Sequence, residues 1–531
     1  MGAALPKAVE TAVIERQGTK DFNVAVAEFN GWRNDMEDAH LIFIRDGIGV
    51  FGVYDGHGGK ECSKWIAQRL NEELEKDGIP EEESAWKDLF IRLDQEFLDT
   101  EMGSGTTCTM CVVRKPQKPG EKHKLHVINA GDSRTLLGKA DGSIVDGNGT
   151  DKGLTVDHKP ENPDERARIE RAGGTVETTE GNVARVNGNL SVCRGFGDRG
   201  EKKTGGPGPD NRPVTCIPDQ FHFECDETDF ILLVCDGVSE GNFPNEEVIE
   251  LVAESLKSGN DAGQAGRAVC QKAIDTDSKD NITCMVIQLQ GVAEPFDRKV
   301  ELIPGSVLKL GNSGFKKAYL AMAEKAGFTL AEAVAKRYDV VQEELKAKPG
   351  NADLMEESKM LGSPLGAPGS DERVKWYEEW LLSLPEEEGG GGPGGMDMDM
   401  IQSMLGKGPK GGGKGGKGSK DGKASKGGGE KAPEREPEEV EKNEEGYTWS
   451  QKGNEVQILI KLPKAATKKE VKVVYKMASL SVAVHGESVL DGSLGGKIET
   501  DECTWCLGNQ GTELQVMLTK QSDANWTQLL K

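Results

Sequence analysis

The chain has 531 residues, 66 basic and 90 acidic side chains for a net charge of −24, and 69 glycines. Its length sets a prior of about three or four domains. No apolar run reaches the roughly 18–20 residues that a membrane-spanning helix needs, so a transmembrane segment is excluded. Eleven thinly spread cysteines, and an N-terminus with no basic-then-apolar leader, predict reduced thiols in a cytoplasmic or also nuclear protein. Glycine, at roughly twice its ordinary share of about 7%, requires a linker, many sharp turns, or both.

In chain order, short β-branched and aromatic runs bounded by turn residues predict strands at 22–29, 40–44, 48–55, 106–113, 124–129, 230–236 and 281–289. Helical spacing of apolar residues predicts helices over 60–76 (Trp65, Ile66, Leu70, Leu74), 84–98 (Leu89, Leu93, Phe97) and 245–257 (Val248, Val252, Leu256). Asn162-Pro163 reads as the start of another helix, closed by Gly173-Gly174. Strands in twos and threes separated by pairs of helices favour an α+β fold, an antiparallel sandwich flanked by helices, over a doubly wound parallel sheet.

Residues 300–385 read as a helical extension of the first domain. Phe315, Tyr319 and Met322 share a face, Thr329 and Glu332 form a capping box, and Trp376 and Trp380 mark a helix over 373–384. The stretch 386–446 loses apolar periodicity and becomes a glycine- and lysine-rich run followed by an acidic one, which predicts a flexible linker. Inside it, MDMDMIQSML (396–405) is a short apolar island. Residues 447–531 alternate strongly: Val456, Ile458, Ile460, Leu462; Val471, Val473; Leu480, Val482, Val484; Leu514, Val516, Leu518. That pattern predicts an all-β sandwich of about seven short strands. The acidity is local, because residues 1–385 hold 46 basic and 67 acidic groups, a net −21.

Chemistry concentrates where apolar strands deliver carboxylates into glycine turns: Glu37 and Asp38 in GWRNDMEDAH, Asp55 in VYDGHGG, Asp132 in NAGDSR, Asp236 in VCDG and Asp280 in KDN. One Asp-Gly pair is ordinary turn chemistry. Five such sites, each attached to a strand, imply convergence, and clustered carboxylates repel unless cations join them. An all-oxygen set suits Mg²⁺ or Mn²⁺. Arg33 offers a planar fork for phosphate oxygens, and His57 a proton for a leaving alkoxide. Together these residues point to metal-assisted phosphoester hydrolysis.

The ordered motifs RNDMED, YDGHGG, SGTT (104–107), NAGDSR, DHKP (157–160), RIERAGG, RVNGNLSVCRGFGD (185–198), CDG and DN resemble the PPM (PP2C) metal-dependent serine/threonine protein phosphatases over roughly 22–290. The resemblance implies a phosphatase domain at 20–291 acting on phosphoprotein substrates, with a two-metal Mg²⁺ or Mn²⁺ centre. It assigns Asp55 as the bridging ligand, the Gly56 carbonyl, Asp236 and Asp280 as further ligands, and Glu37 and Asp38 as direct or water-mediated ones. It makes Arg33 the phosphate-binding residue, His57 the general acid, and Asp132 a match to a weaker third-metal position in some members. Residues from about 160 to 218 correspond to the flap beside the site. Two departures, Ser239-Glu240-Gly241 after CDGV and RGFGD in place of RALGD, remove no ligand.

In the C-terminal part, YTWSQ, the Leu-Pro at 462–463, LSVAVHG (480–486), LDGSL, CTW and Trp526 resemble a CS domain of the NudC-like branch. That resemblance implies protein binding, with an Hsp90-type chaperone or its clients as partner class. Other candidates are discounted. Cys108/Cys111 and Cys503/Cys506 lie in strand-like text, where residues three apart face opposite ways. His123 and His126 do not form a metal pair, the glycine runs lack a phosphate-loop lysine, and Pro6 departs from the acylation pattern at Gly2. Nucleic acid is not expected as a partner. The rival to an active phosphatase is a scaffold or co-chaperone whose phosphatase fold acts by binding.

Overall fold

Two antiparallel sheets face each other in the first part of this computed structural model, and side-chain alternation sorts each strand between two interiors. The structure describes residues 5–384, apart from 179–182, 204–207 and 240. It also describes 442–530, apart from 445–446, 453–454, 463, 465, 468–469, 501–502, 509–511, 522–525 and 527. The Gly2 terminus and the linker predicted over 386–446, with its 396–405 island, lie outside the described residues except for Lys442–Glu444. The chain divides into two compact units, Met1–Gly406 and Lys407–Lys531.

In the first unit, a six-stranded sheet runs Phe296–Ile303, Val9–Gly18, Asn23–Gly31, Ile282–Gln288, Phe230–Val234, Arg134–Gly138. A five-stranded sheet runs Asp219–Cys225, His123–Ala130, Cys108–Arg114, Ile48–Tyr54, Ala39–Arg45. Between them lies a core of Val24, Val26, Phe51, Val53, Cys111, Val113, Leu125, Val127, Ile231, Leu233, Met285 and Ile287. The alternate residues turn outward under helices. Ala25, Ala27 and Phe29 meet Asn245–Lys257 and Ala262–Asp275, while Val50, Met110 and Ile128 meet Glu61–Asp77 and Glu83–Leu98. Being covered on both faces, the central strands read as nearly unbroken apolar runs. The expected α+β sandwich is what forms.

Two strands of the six-stranded sheet lie outside 20–291. Val9–Gly18 pairs with Asn23–Gly31 on one side and with Phe296–Ile303 on the other. On Val9, Val13 and Leu302 packs the helical extension: Ser313–Lys325, Leu330–Ala347, Ala352–Leu361 and Asp371–Ser383. Phe315, Tyr319 and Met322 are all fully buried there. The Thr329 capping box is present: the Glu332 amide donates to Thr329 Oγ1 (3.2 Å) and the Thr329 amide to Glu332 Oε2 (2.7 Å). The Pro163–Arg171 helix opens as predicted after Asn162, but the Asn162 side chain does not cap it: its Nδ2 donates instead to the Asp157 carbonyl at 2.6 Å.

The second unit is all-β among its described residues. One sheet holds Lys442–Glu444, Tyr447–Lys452, Glu455–Lys461, Glu513–Thr519 and Thr504–Gly508; the other holds Val471–Lys476, Ser479–Val484 and Glu487–Ser493. The alternating residues named from the sequence form its core with Trp449 and Trp526, Val473 being only partly covered. Cys108 and Cys111 point into different cores on opposite faces of their strand; Cys503 is half-buried; the Cys506 side chain lies outside the described residues. His126 stacks on His222 at 4.4 Å rather than meeting His123. Among the described residues no helix is long and apolar enough to cross a membrane.

Candidate active site

Strand register brings the acidic motifs to one end of the sandwich. Val234 lies opposite both Cys284 and Arg134, so Asp236, Asp280 and Asp132 leave the six-stranded sheet at the same edge. Ala39 lies opposite Tyr54, which sets Glu37 and Asp38 beside Asp55 in the five-stranded sheet. Arg33 stands on the loop between Asn23–Gly31 and Ala39–Arg45. That loop starts at Gly31, whose φ of +62° and approach to the Asp280 carbonyl leave no room for a Cβ.

Hydrogen bonds fix these turns. Both the Thr107 amide (2.9 Å) and Thr106 Oγ1 (2.9 Å) donate to the Asp55 carbonyl, and the Asp55 amide donates to Thr107 Oγ1 at 3.2 Å. Asn281 ties the 30–37 connection to its own turn. Its Oδ1 accepts from the Glu37 amide (2.9 Å), its Nδ2 donates to the Asn30 (2.8 Å) and Asp35 (3.0 Å) carbonyls, and its own amide donates to Asp280 Oδ1 (2.7 Å). Asp38 Oδ2 accepts from Thr283 Oγ1 at 2.6 Å. Arg33 is ion-paired with Asp280, and Asp132 with Lys159.

Burial and mutual repulsion push the carboxyls up. Burial is the larger cause at Asp55, which is raised well above the carboxylate range, with Asp236, Asp38, Asp280 and Asp132 adding to it. Asp236 rises to about 8 through burial, Asp132 and Asp280, with Lys159 opposing. Asp38 rises to about 7 through burial, with Asp280 and Glu28 adding and the Thr283 bond opposing. Glu37 is raised chiefly by burial. Asp38 Oδ1 is buried with no hydrogen-bond partner, and ligand atoms of Asp38, Asp55 and Cys235 lie within 4.8 Å of one another. An orphaned carboxylate oxygen among carboxyls that destabilise each other's charge fits a divalent cation. The donor set is mainly oxygen, as Mg²⁺ or Mn²⁺ prefers.

The cluster opens into a cleft of about 550 Å³ lined by Arg33, Asp55, Gly56, His57, Asp132, Asp236 and Asp280; Asp38 lies beside Asp55, and the Glu37 carbonyl beside Gly56. The far wall of the cleft comes from the flap segment, with Arg185, Asn189 and Asp198. Every residue singled out from the sequence is therefore brought to this end. Sequence reasoning assigned no role to Asn281, Lys159, Asp198 or Cys235. All four stand inside motifs already quoted (DN, DHKP, RGFGD, CDG), but what each touches is set by strands far away in the chain.

A family model described as Protein phosphatase 2C matches residues 22–282, and one described as CS domain matches 445–520. Probable protein phosphatase 2C 4 of Paramecium tetraurelia is 32% identical over 300 residues, covering 51% of this chain and 93% of that protein. Protein phosphatase 2C 1 of the same organism is 35% identical over 254 residues, covering 44% of this chain and 77% of that protein. Among solved structures, a phosphatase from a pathogenic strain of Toxoplasma gondii is 27% identical, covering 55% of this chain and all of that one, with a TM-score of 0.49.

Proposed function

The chain belongs to the protein phosphatase 2C family, whose members are serine/threonine phosphatases, and from that premise we propose that it hydrolyses phosphoserine and phosphothreonine in proteins at a two-metal centre. The observation that carries this reading is the convergence of Asp38, Asp55, Asp236 and Asp280, with a buried Asp38 oxygen lacking any partner. These carboxylates would hold Mg²⁺ or Mn²⁺, with Glu37 and the Gly56 carbonyl contributing directly or through water, and Asp132 available to a weaker third ion. Bound there, the ions supply charge neutralisation and an acidified water. Arg33, half exposed at the mouth and ion-paired with Asp280, orients the phosphate with its planar fork. His57 gives a proton to the departing serine or threonine oxygen. Turnover of a phosphoserine peptide with Mn²⁺ or Mg²⁺, compared with Asp55→Asn and Asp236→Asn, tests the reading. Wild-type turnover no higher than that of the two variants would overturn it and favour a binding-only scaffold.

For the C-terminal module we propose protein binding, with an Hsp90-type chaperone or its clients as partner class, reached from the catalytic unit through the 386–446 linker. The CS match and the absence of an acidic cluster among the module's described residues support this. Pull-downs with and without 447–531 test it, and identical partner lists would count against it. Ten cysteines outside any disulfide among the described residues, nine of them buried, support a reducing compartment, cytoplasmic or nuclear.

A further inference from the structure

We propose that Asp198 is a positioning residue for the hydrolysis: it holds the His57 ring in the orientation from which the leaving alkoxide is protonated. The inference rests on the hydrolase reading above. Its origin is a three-stranded miniature sheet at the rim of the cleft, in the order Phe196–Gly197, Gly105–Thr106, Gly56–His57. Gly105 is the middle residue, opposite His57 on one side and Gly197 on the other. Having no side chain, it leaves an open lane across the sheet. A Cβ there would stand 2.3 Å from both His57 Nε2 and Asp198 Oδ1. Through that lane the two side chains meet, with Nε2 and Oδ1 2.7 Å apart.

The loop that carries Asp198 is pinned from behind. Asp94 Oδ1 accepts from the Gly197 amide (2.9 Å) and from Lys202 Nζ (2.7 Å), an ion pair whose side chains are both 2% exposed. Lys202 also donates to the Gly195 carbonyl at 2.8 Å. The Asp198 amide donates to the Ser104 carbonyl (3.2 Å), and the Asp198 carbonyl accepts from the Glu201 and Lys202 amides (3.0 Å each). These bonds hold Asp198 at φ +53°, ψ +47°, a left-handed conformation that a non-glycine residue keeps only when its surroundings impose it. Asp198 is 7% exposed, and its second oxygen, Oδ2, is buried without a partner. A buried carboxylate with one unsatisfied oxygen is an expensive way to fill space. Its orientation toward a ring nitrogen gives the expense a use.

With Nε2 engaged by Asp198, Nδ1 is the ring nitrogen left for substrate. In the step itself, the oxygen of water forms a bond to phosphorus as the bond from phosphorus to the serine or threonine oxygen breaks. That oxygen takes the proton from His57 Nδ1, and the ring regains a proton from the solvent that received the one shed by the attacking water. A carboxylate that fixes the histidine's tautomer and direction serves this transfer without touching substrate.

The test uses the full chain with Mn²⁺ and two substrates. A phosphoserine peptide releases an alkoxide that needs a proton, while p-nitrophenyl phosphate releases a stable phenolate that does not. Asp198→Ala is expected to lower kcat on the peptide by about 10–100-fold and on p-nitrophenyl phosphate by less than about 3-fold, following the same split as His57→Ala. The double variant is expected to lose nothing further on the peptide. Asp198→Asn keeps the side-chain volume and secures the fold if the alanine variant is unstable; it is expected to show the same split at smaller size. Equal losses on both substrates would make Asp198 merely structural and overturn the proposal. So would turnover by Asp198→Ala equal to wild type on both substrates beside a split in His57→Ala, with the hydrolase reading left standing. No split in His57→Ala would overturn the general-acid role and this proposal with it, while the Asp55→Asn comparison reports separately on the hydrolase itself.

Discussion

Asp236 shows what concentrating carboxylates costs a single residue. Its carboxyl is pushed up to about 8 by burial and by Asp132 and Asp280, so the metal-free protein is destabilised wherever that group must ionise. Asp236→Asn replaces, at nearly constant volume, a carboxyl that the metal-free fold keeps protonated although the unfolded chain would ionise it. In chelator-treated protein it is expected to raise the melting temperature, by about 1–3 kcal/mol of stability, while phosphopeptide turnover with Mn²⁺ falls about 100-fold or more. A thermal melt in chelator beside a turnover assay checks both signs, and a variant that melts lower would contradict the electrostatic account. At this scale the sequence is informative about ligands and silent about their supports. Asp55 and Asp236 are legible because an apolar strand running into a glycine turn is a local signal. Asp198 is not, since the residue it serves lies 141 positions away, and Asn281 reaches Glu37 across 244.

Among the elements, the Ala262–Asp275 helix escaped the reading of the sequence for a packing reason. Its buried face is Ala262, Gly263, Ala265, Gly266, Val269, Cys270 and Ala273, small residues that let the helix lie close on the six-stranded sheet. A search for large apolar residues at helical spacing passes over such a face, although the Asp261–Gln264 capping box marks its start. At Gly266 an added Cβ would already lie 3.1 Å from the Cys284 carbonyl. Gly266→Leu is therefore expected to destabilise the first unit by about 1–3 kcal/mol, read as a lower melting temperature. Val9–Gly18 was missed because Thr11 and Glu15 interrupt its apolar run and yet are buried with it. By contrast, the Pro163–Arg171 helix was legible at its start, and its anchoring was not. Glu165 is buried against Arg194 and Arg168, and Arg168 in turn donates to the Arg212, Pro213 and Cys193 carbonyls. Burial alone would raise the Glu165 carboxyl, but the two guanidinium groups outweigh it and hold it down at about 2, below its ordinary 4.5. A depressed carboxylate stabilises the fold fully above its unfolded value, and the contribution disappears as pH falls from about 4.5 through about 2. Glu165→Gln should thus cost about 3 kcal/mol near neutral pH and progressively less in acid. Melts of both proteins at about pH 6 and about pH 3 check the narrowing gap.

At the scale of the whole molecule, the phosphatase match and the CS match lie on separate units. Every carboxylate named in the cleft belongs to Met1–Gly406, and the CS match begins beyond it. Removing 447–531 is expected to leave kcat on p-nitrophenyl phosphate within about 2-fold of the full chain. On a phosphoprotein held by the module, turnover at low concentration is expected to fall, because tethering raises the local substrate concentration without any new catalytic contact. Equal losses on both substrates would contradict that division of labour.

The distribution of sulfur through the first unit has a practical consequence. Its nine buried cysteines are parcelled among separate interiors: Cys111, Cys225 and Cys235 between the sheets, Cys62, Cys108 and Cys216 under one helical layer, Cys270 and Cys284 under the other, and Cys193 beneath the flap. Burial also pushes these thiols up and keeps them unreactive while covered. The natural chain thus carries a built-in set of probes. Time-resolved alkylation followed by peptide mapping would rank the interiors by the order in which each opens, with no engineered label.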